Sequence, residues 1–238
     1  MLQRLDKILA SQGEATRSEA QRLIRGGRVS VNGKVFRDPS LKIEPDCCKI
    51  ELNGRILCYR RFAYIMMNKP AGLLCVSRDP KAPTVMDLLP EDLRRPGLFP
   101  AGRLDKDTVG LVIITDDGDF AHRMLAPKKD IIKRYRAVLD LPVGEREIDA
   151  FAAGTSLEDG TVCRPAALSL IEDGEKPLAE VAITEGRYHQ VKRMFASVGR
   201  RVLWLKRISI GNLVLDPKLN EGSCRELTEI EKMSIFER

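Results

Sequence analysis

Residues Ala101 to Pro127, AGRLDKDTVGLVIITDDGDFAHRMLAP, restrict the possible folds of this chain more than any other stretch. They begin with a Gly-Arg-Leu-Asp turn, continue into an apolar run from Leu111 to Ile114, and stop at Asp116-Asp117-Gly118. An unbroken apolar run between turn residues reads as a strand buried on both faces, not as the alternating strand of a half-exposed sheet. The loop before it then lies at the edge of a core. Asp105 is held there on a rigid base, with Arg103 two residues away, where a carboxylate is both accessible and well positioned.

Plainer readings of the same residues carry weight. Asp, Thr and Gly form turns, so Asp107, Asp116 and Asp117 are expected to cap loops. Asp105, Asp107, Gly110 and Asp116 fall near the spacing of a calcium loop. Val109 occupies a ligand position, however, and a strand follows where the motif requires a helix, so no metal site is expected.

A chain of 238 residues with 43% hydrophobic content can bury a real core, either as one large domain or as a large and a small one. No apolar run approaches the length of a membrane span, and MLQRLDK is charged from its fourth residue, unlike a signal-peptide core. A cytoplasmic protein is expected. Cys47, Cys48, Cys58, Cys75, Cys163 and Cys224 contain no C-x-x-C pair, and only two histidines accompany them, so reduced structural thiols are expected and zinc is not. No nucleophile elbow precedes His122 or His189, which leaves ordinary hydrolase chemistry with little support.

The charge is uneven. Residues 1–60 carry 12 Lys and Arg against 7 Asp and Glu, a net of +5, while the whole chain carries +6. The first quarter is therefore the electrostatic handle, and nucleic acid is the partner it fits. Leu2, Leu5, Ile8 and Leu9 suggest a short helix ended by Gly13. Thr16-Arg17-Ser18-Glu19 is a capping box for a second helix, with Ala20, Leu23 and Ile24 inward and Arg17, Arg22, Arg25 and Arg28 toward solvent as candidate RNA contacts. Val29–Val31, Asn32-Gly33 and Lys34-Val35 read as a hairpin. From Gln3 to Glu51 this segment resembles the small RNA-binding domain named after ribosomal protein S-four, on the strength of RLDKILA, TRSEAQRLIRGGRVSVNG and KIEL. That resemblance implies binding to structured RNA. Residues 1–60, including a polar linker from Asn53 to Phe62, form the expected first domain.

Residues 61–238 form the expected second domain, a mixed, mainly antiparallel α+β sheet structure. Tyr64–Met67 opens it as a strand, Asn68-Lys69-Pro70-Ala71-Gly72 turns, and Leu73–Val76 reads as the returning strand. Thr84 caps a helix VMDLL. A helix is expected at Asp119–Leu125, and strands at Ala166–Ile171, Ala179–Thr184, Val202–Leu205 and Leu213–Leu215. Alternation in KRYRAVL puts Tyr135 on the inward face of another strand. In EGRYHQVKRMF, the residues Val191, Met194, Phe195 and Val198 form a helix face closed by Gly199, with Lys192 and Arg193 beside it. Thr228 and Glu231 cap a C-terminal helix.

Taken together, GRLDKDTVGLVIITDDG, KRYRAVL and EGRYHQVKRMF, supported by MNKPAG and LDPKLNEGSCRELTEIE, resemble the pseudouridine synthases fused to an S-four-type domain that modify ribosomal RNA. TDDG, HRMLAPK and the LTEIE tail are most similar to the small-subunit (16S), RsuA-type branch. The resemblance implies Asp105 as catalytic aspartate, Tyr135 as active-site tyrosine and Lys192 as the basic partner of Asp105. It also implies an isomerisation without cofactor, a monomer, and free or partly assembled small-subunit rRNA as partner. The arginines flanking Tyr135, and Val109 where a small polar residue is common, depart from the pattern. A carboxylate is charged at neutral pH and can attack or stabilise a sugar carbon unaided. A nearby lysine would favour that charge, and a tyrosine can stack on the base and move a proton. A uridine must leave its stack to reach such a site. Arg103 could fill the gap it leaves, or else pair with Asp107. Arg187, His189 and Arg193 are further candidates for RNA contact. The alternatives are a large-subunit (23S) enzyme, a non-catalytic rRNA-binding or ribosome-assembly factor, and metal-dependent RNA cleavage by the carboxylates of residues 105–119.

Overall fold

In the computed structural model, which describes residues 1–237, the chain divides into two units: Met1–Ala63 with Pro90–Leu98, and Tyr64–Leu89 with Phe99 onward. In the first, strand β1 (Gln3–Arg4) leads into helices α1 (Leu5–Ser11) and α2 (Arg17–Arg25). Strands β2 (Val29–Val31), β3 (Lys34–Val35), β4 (Lys42–Ile43), β5 (Ile50–Leu52) and β6 (Arg55–Leu57) follow. β4 pairs with β1, and the other four form an antiparallel sheet in the order β3-β2-β5-β6. Leu5, Ile8 and Leu9 pack with Ala20, Ile24, Val29 and Ile50. The capping box of α2 is present: the Glu19 N–H donates to Thr16 Oγ1 at 3.3 Å and the Thr16 N–H to Glu19 Oε2 at 2.9 Å. Asn32 (φ 51°) and Gly33 (φ 79°) both take the left-handed conformation that a tight hairpin turn requires.

Two expectations change here. Leu2 is exposed and precedes the helix, because α1 starts at Leu5. The polar run expected to be a linker contains β6, which pairs with β5 through Ile50↔Leu57 and Leu52↔Arg55 and buries Leu57.

The second unit runs through β7 (Tyr64–Lys69), β8 (Phe99–Ala101), β9 (Val109–Thr115), α3 (Gly118–Leu125), β10 (Lys133–Leu139) and α4 (Glu145–Ala153). It continues through β11 (Ala167–Glu172), β12 (Leu178–Ile183), α5 (Gln190–Ser197), β13 (Val202–Ile210), β14 (Leu213–Val214), β15 (Cys224–Glu226) and α6 (Glu229–Ser234). Its sheet follows the order β11-β12-β10-β13-β9-β7-β15, with β14 on β13 and β8 on β9. Of the pairings between its described strands, only β13–β9 is parallel. Every residue of β9 is buried, as its apolar run demands, and Leu111 and Ile113 pack with Phe120, Met124 and Ile235. Asp117 caps α3, accepting from the Phe120 N–H at 3.0 Å and from the Tyr64 hydroxyl at 2.6 Å, so its role is structural.

The expected strand Leu73–Val76 does not form. Both edges of β7 are already occupied, by β9 and β15, so the returning chain has no edge to join. It makes only a single bridge, Leu74 to Thr84. VMDLL is a 3₁₀ turn over Val85–Leu88 and not an α-helix. Helix α4 lies where none was anticipated. It buries only Glu147 and Phe151, a stripe too narrow to give a helical period in the sequence.

Candidate active site

The site is built where β9 meets β13. Gly110 (φ 100°) faces Arg207 in the parallel register, and a side chain there would overlap the Arg207 carbonyl oxygen. The glycine permits the close approach of the two strands. Immediately before β9, the Asp105 loop folds into a turn in which the Thr108 N–H donates to the Asp105 carbonyl at 3.1 Å. The fully buried Lys69 fixes this loop from beneath: its Nζ donates to the carbonyls of Pro70 (3.0 Å), Lys106 (3.2 Å) and Thr108 (2.9 Å). Burial lowers the Lys69 pKa below the ordinary lysine value. The Gly72 N–H adds a bond to the Lys106 carbonyl at 2.7 Å. Lys69 and Gly72 both belong to the MNKPAG motif, whose work here is to hold the loop.

The Asp105 carboxylate is partly exposed. His189 Nε2 lies 3.6 Å from one oxygen and Lys192 Nζ lies 3.6 Å from the other. Both basic residues come from the start of α5, where His189 takes a left-handed backbone (φ 48°) and stacks its ring on Tyr188 at 3.9 Å between centroids. Lys192 approaches Asp107 more closely, at 2.5 Å, and this bond pulls the Asp107 pKa below the ordinary carboxylate value. Asp107 is thus paired with Lys192, and Arg103 stands exposed on the wall of the adjoining cavity.

That cavity encloses about 650 Å³, and its lining includes Arg103, Asp105, Lys133, Tyr135, His189 and Arg207. Its size is within the range of small-molecule sites and suits a single nucleotide. Tyr135 is buried on the inward face of β10, opposite Arg207 in the register with β13. Its flanking arginines point outward, with Arg136 lying 3.6 Å from Glu180. Lys192 is not among the lining residues.

The other expected RNA contacts separate. Arg187 lines the cavity and pairs with Glu185 at 3.1 Å. Burial raises the pKa of Glu185, but hydrogen bonds from the Arg164 N–H, Arg187 and Gln190 outweigh it and leave the group lowered. Arg193 is drawn off to Asp159 at 2.6 Å and does not line the cavity. In the first unit, Arg22, Arg25 and Arg28 are exposed, while Arg17 lies 3.7 Å from the buried Asp6, which Arg4 and Gln21 also engage. Hydrogen bonding from Arg4 holds the Asp6 pKa at about 2.

Sequence reasoning missed Lys133 and Arg207. Lys133 was within reach, since it precedes Tyr135 by two residues and so shares its face. Arg207 was not, because its strand was expected to end at Leu205.

Residues 63–197 match the RNA pseudouridylate synthase family. The chain belongs to the RNA pseudouridine synthases. Residues 3–46 match the S4 domain. The synthase is 42% identical to the uncharacterized RNA pseudouridine synthase YtzG of Bacillus subtilis, over 96% of each chain. It is 41% identical to the ribosomal small subunit pseudouridine synthase A of Escherichia coli, over 98% of this chain and 99% of the relative. A crystal structure of a pseudouridylate synthase, 38% identical, superposes with a TM-score of 0.67 and covers 98% of this chain and 99% of its own. The expected fold, a small RNA-binding unit and a mainly antiparallel catalytic unit, agrees with these relatives.

Proposed function

We propose that this pseudouridine synthase isomerises a uridine of ribosomal RNA, in the small subunit, with Asp105 as the group that acts on the sugar. The observation that carries the reading is the placement of the Asp105 carboxylate on the cavity wall, 3.6 Å from both His189 and Lys192, on a loop fixed by Lys69. A carboxylate held between two basic groups on a fixed loop is aimed at the cavity. It is then ready to attack C1′ or to draw a proton from the sugar. Tyr135 supplies an aromatic wall for the base and a hydroxyl for proton transfer. Lys192 acts through Asp105 and Asp107, balancing the charge of both.

The rRNA assignment draws on the S4 match and on the name of the Escherichia coli relative. The target base must leave its stack to enter the cavity, and exposed Arg103 at the wall is placed to occupy the gap or hold a phosphate. The substrate is free or partly assembled small-subunit rRNA, the enzyme acts as a monomer in the cytoplasm, and the reaction needs no cofactor.

The test is tritium release from small-subunit rRNA labelled at C5 of uracil. Wild type is expected to release tritium, and Asp105→Asn to lose release by a factor on the order of 10⁴ while still binding RNA. Release from large-subunit rRNA alone would move the substrate. Full activity of Asp105→Asn would remove Asp105 from the mechanism.

A further inference from the structure

Two cations on the cavity lining, Lys133 and Arg207, form no ion pair among the described residues. Lys133 opens β10 two residues before Tyr135 and is buried, and its Nζ makes one long hydrogen bond, 3.4 Å to the Thr184 carbonyl. Arg207, 4% exposed, faces Tyr135 across the β10–β13 register and donates through Nε to the Leu111 carbonyl at 2.8 Å. Its Nη2 is buried and has no partner among the described residues, and the same holds for Thr108 Oγ1, also on the cavity lining. Burial lowers the Lys133 pKa to about 8, the neighbouring Arg207 charge adds to the effect, and Asp130 opposes it.

The carboxylates of the cavity wall do not neutralise these cations. Glu185 is engaged by Arg187, Gln190 and the Arg164 N–H, and Asp105 faces His189 and Lys192. A buried cation without a counter-charge costs stability, so two of them beside one cavity indicate a site preorganised for negative charge. The reaction under Proposed function, on which this inference rests, produces such a charge on the base. When the C1′–N1 bond breaks, its electron pair leaves with the uracil, and the resulting anion spreads its charge over N1, O2 and O4. The sugar is meanwhile either captured at C1′ by Asp105 or relieved of a proton. C5 then bonds to C1′ as the bond to Asp105 breaks or the sugar regains its proton. The C5 proton leaves to solvent, and N1 takes one up.

We propose that Lys133 and Arg207 form a cationic floor that stabilises the uracil anion between cleavage of its bond to the sugar and rejoining through C5. The assignment holds whichever way Asp105 treats the sugar, because both routes expel the same anion.

Fluorine at C5 makes the base more acidic and hence a better leaving group, which relaxes the need for outside stabilisation. The test follows single-turnover consumption of the target nucleoside, uridine or 5-fluorouridine, in otherwise identical rRNA by full-length wild type, Lys133→Met, Lys133→Gln and Lys133→Arg. Each variant's melting curve is recorded, and the neutral-variant result is taken from whichever gives a cooperative transition. The neutral variant is expected to slow uridine by about 10²-fold and 5-fluorouridine by less than about tenfold, with Lys133→Arg restoring the wild-type ratio. Equal losses on both bases, with wild type active, would overturn the proposal alone, since a merely structural role slows both alike. Consumption of neither base by wild type, in small-subunit or large-subunit rRNA, would overturn the isomerase reading and this proposal with it.

Discussion

Lys133 places stability and chemistry in opposition within one side chain. Its pKa of about 8 in the fold lies below the value of about 10.4 that a lysine has in an unfolded chain. Below pH 8 both states hold the proton, and the native state bears the full cost of burying the charge beside Arg207. Between about 8 and 10.4 the unfolded chain binds more proton than the native one, so this contribution to stability rises with pH across that window. Lys133→Met lacks the term. It is expected to melt above wild type at about pH 7, with the gap closing by about pH 10, and melting curves at three pH values check it. A gap independent of pH would mean that Lys133 is not held charged against burial. The inward orientation of Tyr135 was legible in the alternation of its strand, and the place of the Asp105 loop at the edge of the core in the apolar run that follows it. The sharing of Lys192 between Asp105 and Asp107 was not, because it depends on the loop turning back within reach of α5.

At the scale of elements, the parallel junction of β9 and β13 decides the site, and Gly110 decides the junction. An alanine at φ 100° is strained in itself, and its methyl group would overlap the backbone of Arg207. Gly110→Ala is expected to cost at least about 2 kcal/mol and to reduce activity more than stability alone explains, because the shift of β13 carries Arg207 away from the cavity. Denaturant unfolding together with turnover at a temperature where the variant is fully folded would check this. An alanine variant as stable as wild type would show that the junction has slack. The buried β9, the capped α2 and the amphipathic α5 were readable because each carries its own period or cap. The fate of Leu73–Val76, the length of β13 and the presence of α4 were not. They depend on which sheet edges other strands have already taken, and that is settled by the whole topology.

For the molecule as a whole, the positive charge is concentrated at one end of the sequence. Residues 1–60 hold a net +5 of the total +6, so nonspecific attraction to RNA is concentrated in one unit and bond rearrangement in the other. Arg22, Arg25 and Arg28 are exposed, Arg22 lying 3.9 Å from Glu19, whereas Arg17 lies 3.7 Å from the buried Asp6, so the first three are the candidate phosphate contacts to remove. Each neutralised phosphate contributes roughly 0.7 to 0.9 to the slope of log affinity against log salt. Replacing all three with glutamine is expected to make that slope shallower by roughly 2 to 3 while leaving the single-turnover rate on saturating rRNA near wild type. Filter binding across a salt series and a saturating rate assay on the same protein separate the two effects. A slope that does not change would locate the phosphate contacts elsewhere, with Arg17 in α2 and Arg103 and Arg187 at the cavity the next to replace. A fall in the saturating rate with an unchanged slope would mean that these arginines serve the chemistry and not capture of the RNA.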